Sequence, residues 1–147
     1  MRIVSFFLVL VFYIPSVLGQ ALPPIQNFGI SDYSAGSQNW SISQNSSKHI
    51  FVGNNKGLLE FNGARWKLHP SYNSSIVRSV KVIDDKVFTG FYMDFGYWER
   101  DSKGVFRFRS LVKDLELSLI EDEHFWNIEV RDEWILFQSL DRIYMYN

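Results

Sequence analysis

Three histidines, at positions 49, 69 and 124, are the residues of this chain best suited to acid–base or metal chemistry near neutral pH. No two of them stand at a metal-ligand spacing. His124 follows an acidic run, so Glu121, Glu123 and His124 could gather a divalent ion. The same run reads more simply as a solvated acidic loop. The chain has no Cys and therefore no thiol nucleophile. No Ser lies in a Gly-x-Ser-x-Gly elbow. Asp84-Asp85 suits a tight hairpin turn better than acid–base catalysis, which needs burial and opposed roles for its carboxylates. "GNNKG" at 53–57 lacks the length and the following helix of a phosphate loop. The reading is a protein that is not an enzyme, with no catalytic residue, no metal site and no cofactor.

Binding is the better use of these residues. Aromatic rings beside amides and an Arg suit a carbohydrate or another polar fragment, through stacking and hydrogen bonds. The candidate ligand-binding residues are Gln38, Asn39, Arg78, Tyr92, Asp94 and Trp126, with Trp40, Asn54, Asn55 and Asn127 beside them. The competing reading packs Trp40 and Trp126 between structural elements and pairs Arg78 with a carboxylate. Which holds depends on the elements that carry them.

Those elements repeat. From Trp40 onward the chain consists of short runs of Val, Ile, Phe, Tyr and Trp punctuated by Gly, Asn and Asp, the texture of antiparallel strands. Ile50-Phe51-Val52-Gly53 is matched by Val87-Phe88-Thr89-Gly90, and "GLLEFNGARW" is echoed by "FGYWERDSKGVFRF". A third copy is "FWNIEVRDEWILFQSLDRIYMYN". Trp40, Val77 and Phe125 each stand 13 residues before Gly53, Gly90 and Gln138 (53 − 40, 90 − 77, 138 − 125). In the first unit the strands fall at 40–43, 50–53, 57–61 and 65–68. One stretch, "LVKDLELSLI", fits either a helix or an alternating strand.

Units of four strands at about 40 to 50 residues are the pattern of β-propeller blades. Each blade has two apolar faces and must stack on neighbours to hide them. The expected fold is all-β, built of β-propeller blades as four-stranded antiparallel meanders, in an incomplete ring of two full blades and part of a third. The blades are placed at about 40–70, 76–112 and 125–147, after a loop-rich lead-in at 20–39. A β-sandwich also has short strands with regular turns, but its strands need not repeat in sequence. The third unit lacks its fourth strand, which would leave Trp134, Leu136, Ile143 and Met145 on an uncovered face. The first unit is expected to be exposed in the same way around Trp40 and Phe51.

Composition bounds the class. The chain has 147 residues and a formal net charge of −1, with no basic stripe of the kind that marks a nucleic-acid surface. Arg2, the apolar run from Ile3 to Ile14, Pro15 and the ending Val17-Leu18-Gly19 read as a signal peptide at 1–19, cleaved before Gln20. The run is shorter than the roughly 20 apolar residues of a membrane helix. An exported chain without Cys must be held by packing or by partners.

"GLLEFNGARW" resembles the repeat of the two-component-regulator propellers. "DYSAGSQNWSISQN", "GNNKGLLEFNGARW", "SIVRSV", "FGYWE" and "FQSLDRIYMYN" resemble, in order, the start of the triple-tyrosine (three-Y) sensor proteins of Bacteroidetes type. The resemblance implies an exported, periplasmic propeller sensor domain of a bacterial signal-transduction or transcription-regulatory protein, anchored in the inner membrane by later segments. Its implied partners are an extracytoplasmic ligand, such as a carbohydrate, and the remaining blades of the full-length protein. The alternatives are a fragment of a secreted propeller enzyme acting on polysaccharide and an inactive gene remnant.

Overall fold

The computed structural model describes residues 24–147. The signal-peptide reading of residues 1–19 lies outside them. The described chain is all-β apart from two single-turn helices, α1 (Ile30–Tyr33) and α2 (Leu111–Asp114). Sheet I comprises β1 (Asn39–Gln44), β2 (Ile50–Asn54), β3 (Gly57–Phe61) and β4 (Trp66–Pro70). Sheet II comprises β5 (Ser79–Ile83), β6 (Lys86–Gly90), β7 (Phe95–Arg100) and β8 (Phe106–Ser110). Sheet III has three strands, β9 (Asn127–Arg131), β10 (Trp134–Gln138) and β11 (Ile143–Tyr146). Every sheet is an antiparallel meander in chain order, and the strand bounds follow the sequence reading to within two residues in sheet I. Asp84 and Asp132 turn the first hairpins of sheets II and III with left-handed φ of 52° and 51°. Asp tolerates that conformation better than most side chains, because its carboxylate can bond locally.

The sheets dock by one rule used twice. The segment that leads into each new sheet's first strand runs over a glycine near the end of the previous sheet's second strand, Gly53 in β2 and Gly90 in β6. The Val77 amide donates to the Asn54 carbonyl at 3.2 Å, and the Phe125 amide donates to the Phe91 carbonyl at 3.1 Å. A Cβ at Gly53 would meet the Val77 carbonyl at 2.8 Å, and one at Gly90 would meet the Phe125 carbonyl at 2.7 Å. Only glycine lets the backbones approach this closely. The first strands therefore lie side by side, β5 between β1 and β9.

Apolar side chains fill both seams. Phe51 and Leu58 of sheet I pack with Val80, Val87, Trp98 and Phe106 of sheet II. Phe88, Phe95 and Tyr97 of sheet II pack with Phe125, Ile128 and Phe137 of sheet III. Leu117 and Leu119 join the second seam from irregular chain. The helical reading of "LVKDLELSLI" thus survives only as α2, whose Ser110 cap accepts from the Lys113 amide at 3.1 Å. Glu116, at φ 49°, turns the chain out of it.

The outer faces differ from expectation on one side. Phe51 is 2% exposed, because it faces sheet II and stacks on Phe106 at 5.9 Å. The opposite face of sheet I is covered by the lead-in: Phe28, Tyr33 and Ala35 pack on Val52, Leu59, Trp66 and Leu68. Alternation in the lead-in was too short to reveal this. Among the described residues, sheet III does leave a face open. Register places Trp134, Leu136, Ile143 and Met145 on one side, with Ile143 61% and Met145 58% exposed. Contiguous apolar faces of this kind drive association. Purified residues 20–147 are expected to self-associate, and Ile143→Lys with Met145→Glu to shift them toward monomer in light scattering. A wild-type chain that stays monodisperse and monomeric at high concentration contradicts this.

Candidate functional site

The candidate site forms where the first strands begin. Trp40, Arg78 and Trp126 stand immediately before Ser41, Ser79 and Asn127, which pair with Gly53, Gly90 and Gln138. Each sheet thus contributes one side chain from the head of its first strand, Arg78 and Trp126 at the same register and Trp40 as an unpaired residue beside it. Trp40 is the extra residue of a β-bulge between Asn39 and Ser41. The longer connection between β1 and β2, residues 45–49, is why a uniform interval counted back from the second strands set Trp40 beside Val77 and Phe125 instead of beside Arg78 and Trp126.

The two indoles meet edge to face, with centroids 6.3 Å apart and planes at 75°. The Arg78 guanidinium fills the corner between them, 4.1 Å from the Trp40 ring and 4.6 Å from the Trp126 ring. Among the described residues Arg78 forms no salt bridge. The ion pair that the sequence left open is replaced by cation–π contacts, each worth about 0.5–2 kcal/mol according to its exposure. Both indoles remain 40% exposed.

Polar groups flank the corner. The Trp40 indole N–H donates to Asn55 Oδ1 at 2.7 Å, and Asn55 Nδ2 donates to Gln38 Oε1 at 2.8 Å. On the other side His124 lies 5.7 Å from Trp126 and 4.9 Å from Tyr92 between ring centroids. The Tyr92 hydroxyl donates to Asp122 Oδ1 at 2.7 Å, and this bond and the Asp122 charge push the phenol's pKa up. Burial holds the His124 pKa below its usual range, the Arg78 charge adds to that, and Asp122 opposes it.

The structure therefore gathers Gln38, Arg78, Tyr92 and Trp126 along one ledge. It does not bring Asp94 or Asn39 there as free groups. Asp94 is 2% exposed and accepts from Ser110 Oγ at 2.7 Å and from the Tyr72 hydroxyl, joining the connection after sheet I to the end of β8. Asn39 Oδ1 accepts from Asn54 Nδ2 at 2.7 Å. Asn54, fully buried, also bonds the Gly36 amide and the Gly36 and Gln38 carbonyls, fastening the lead-in. His124 was missed as a ledge residue. Its signal was its place two residues before Trp126, which puts both rings on one side of an extended segment.

Larger recesses lie at the opposite ends of the seams, about 490 Å³ between sheets I and II and about 520 Å³ between II and III. Their cations are already engaged: Arg100 pairs with Glu60, and Lys86 lies 4.3 Å from the Tyr97 ring centre. The ledge has unmet capacity instead. Arg78 Nε, His124 Nδ1 and the neighbouring Ser41 Oγ are all withdrawn from solvent without a hydrogen-bond partner.

His49 and His69 converge on Glu60, with Nδ1 and Nε2 at 3.0 and 2.9 Å from its two oxygens, and Arg100 reaches across from β7. Glu60 is 5% exposed on the face of β3 turned to sheet II. Burial pushes its carboxyl up, but hydrogen bonds from His69 and His49 and the Arg100 charge outweigh that and bring it to about 2. This cluster is a brace between sheets. Among the described residues no group of three His, Cys, Asp or Glu side chains is arranged to hold a metal ion. No family model matches the chain, and neither a curated protein nor a solved structure does.

Proposed function

We propose that this chain forms blades of an exported β-propeller sensor, and that it binds an extracytoplasmic ligand at the Trp40–Arg78–Trp126 ledge without catalysing a reaction. The observation that carries the reading is the convergence of those three side chains: successive sheets, docked by one repeated rule, each bring one side chain from the head of the first strand into a single contact. Propellers commonly use this end of their innermost strands for ligands, since loops and side chains from several blades converge there. Exposed indoles beside amides suit a saccharide face and its hydroxyls. The periplasmic location, the membrane anchor and the signalling output rest on the family resemblance.

A glycan array probed with the purified protein tests the binding role. Saturable retention that falls at least about tenfold in Trp126→Ala, a loss of ~1.4 kcal/mol, is expected. Retention unchanged by that variant would remove the ledge from the reading.

A further inference from the structure

We infer that the ledge takes an acidic saccharide, whose ring lies against an exposed indole while its carboxylate or sulfate is held by Arg78 and His124. The inference rests on the binding role proposed above and adds the ligand's charge to it.

The geometry of Arg78 leads there. Its guanidinium sits in the corner formed by the Trp40 and Trp126 rings, 4.1 and 4.6 Å from their centres. Contacts with aromatic rings take up no directed N–H bond, so the guanidinium keeps the donors with which it grips carboxylate or sulfate. Arg78 Nε is buried and has no acceptor. The other arginines that lack a salt bridge among the described residues, Arg65, Arg131 and Arg142, are exposed, where water serves them. Arg78 is half-buried, and its Nε is withdrawn from solvent.

His124 supplies a second unmet nitrogen beside Trp126. The charged and titratable groups facing it are Arg78, Asp122 and Tyr92. Asp122 already accepts from the Tyr92 hydroxyl. Burial first and the Arg78 charge second disfavour protonated His124, so an anion placed beside both offsets the repulsion and favours proton uptake. A bare inorganic anion would leave the indoles and the Gln38–Asn55 amide pair unused. A saccharide ring with an acidic substituent uses all of them.

Titration calorimetry on the full chain, with trigalacturonate, its methyl ester and a sulfated galactan trisaccharide, tests this. At least one acidic probe is expected to bind about tenfold or more tighter than the neutral ester, and Arg78→Gln to erase the preference. Which acid binds separates carboxylate from sulfate. Affinity for it is expected to rise several-fold from about pH 7 to 5.5, and His124→Gln to flatten that rise. Arg78→Lys, which keeps the charge but not the fork, should retain part of the preference and carries the test if the Gln variant does not fold. An ester that binds as tightly as the acids overturns the inference while leaving the binding role intact. If none of the three binds, and Arg78→Gln only lowers the melting temperature, the corner is a brace between sheets and both readings fall.

Discussion

Glu60→Gln is expected to cost about 3 kcal/mol of folding stability at neutral pH, the equivalent of lowering a carboxyl from 4.5 to about 2. The same figure follows from removing one partner of a buried ionic group, which costs roughly 3–5 kcal/mol because the remaining charges are left uncompensated. Glu60 accepts from two histidines and an arginine at a seam where Phe51, Leu58 and Phe106 exclude water. The pH dependence has a fixed sign. A carboxyl depressed by folding contributes stability that is complete above its unfolded value, near 4.5, and is lost as pH falls through about 2. Chemical denaturation of the wild type and Glu60→Gln should therefore give curves that differ by about 3 kcal/mol above pH 5 and draw together toward pH 2. A difference that stays constant across that window would place the linked proton elsewhere.

The brace also shows what could be read in advance. Alternation along "GLLEF" sets Glu60 on the same side as Leu58, so an acid on an inward register was visible in the sequence. Its partners were not. His49 lies beyond the start of β2, and Arg100 comes from another sheet, so their meeting depends on register and docking. The strands themselves were legible, because period-two runs between Gly, Asn and Asp turns leave little freedom in sheet I. The lead-in was harder to read, since Phe28 and Tyr33 fold onto Val52 and Leu59 through long-range contacts with no local period. At the ledge, Arg78 and Trp126 were legible as a charge and an aromatic at the head of apolar strands. Asp94 was not, because its burial depends on Tyr72 and Ser110, far away in the chain.

Gly90→Ala and Gln138→Gly should have opposite-sized effects at equivalent positions. The added methyl at position 90 would stand 2.4 Å from Ser79 Oγ, 2.6 Å from Phe125 Cβ and 2.7 Å from the Phe125 carbonyl oxygen. Ser79 can rotate, although doing so breaks its 3.0 Å bond to the Phe125 carbonyl. The Phe125 backbone cannot move without pulling Phe125, which is fully buried against Phe95, out of the seam between sheets II and III. Overpacking a filled seam costs about 1–3 kcal/mol and occasionally more, and the backbone contact puts this site at the upper end. Gln138 occupies the same register in sheet III, is exposed and has no further sheet laid over it among the described residues. Its replacement by Gly removes only conformational restriction, about 0.5–1 kcal/mol. Thermal melts of both variants decide the point, and a Gly90→Ala protein within about 0.5 kcal/mol of wild type would mean that the sheets do not dock through this glycine. The contrast also bears on the open face of sheet III. A sheet laid there by the rule that joins I to II and II to III would bring a carbonyl onto the Cβ of Gln138. Any element that covers Trp134, Ile143 and Met145 must therefore approach with a different offset from the one that Gly53 and Gly90 allow.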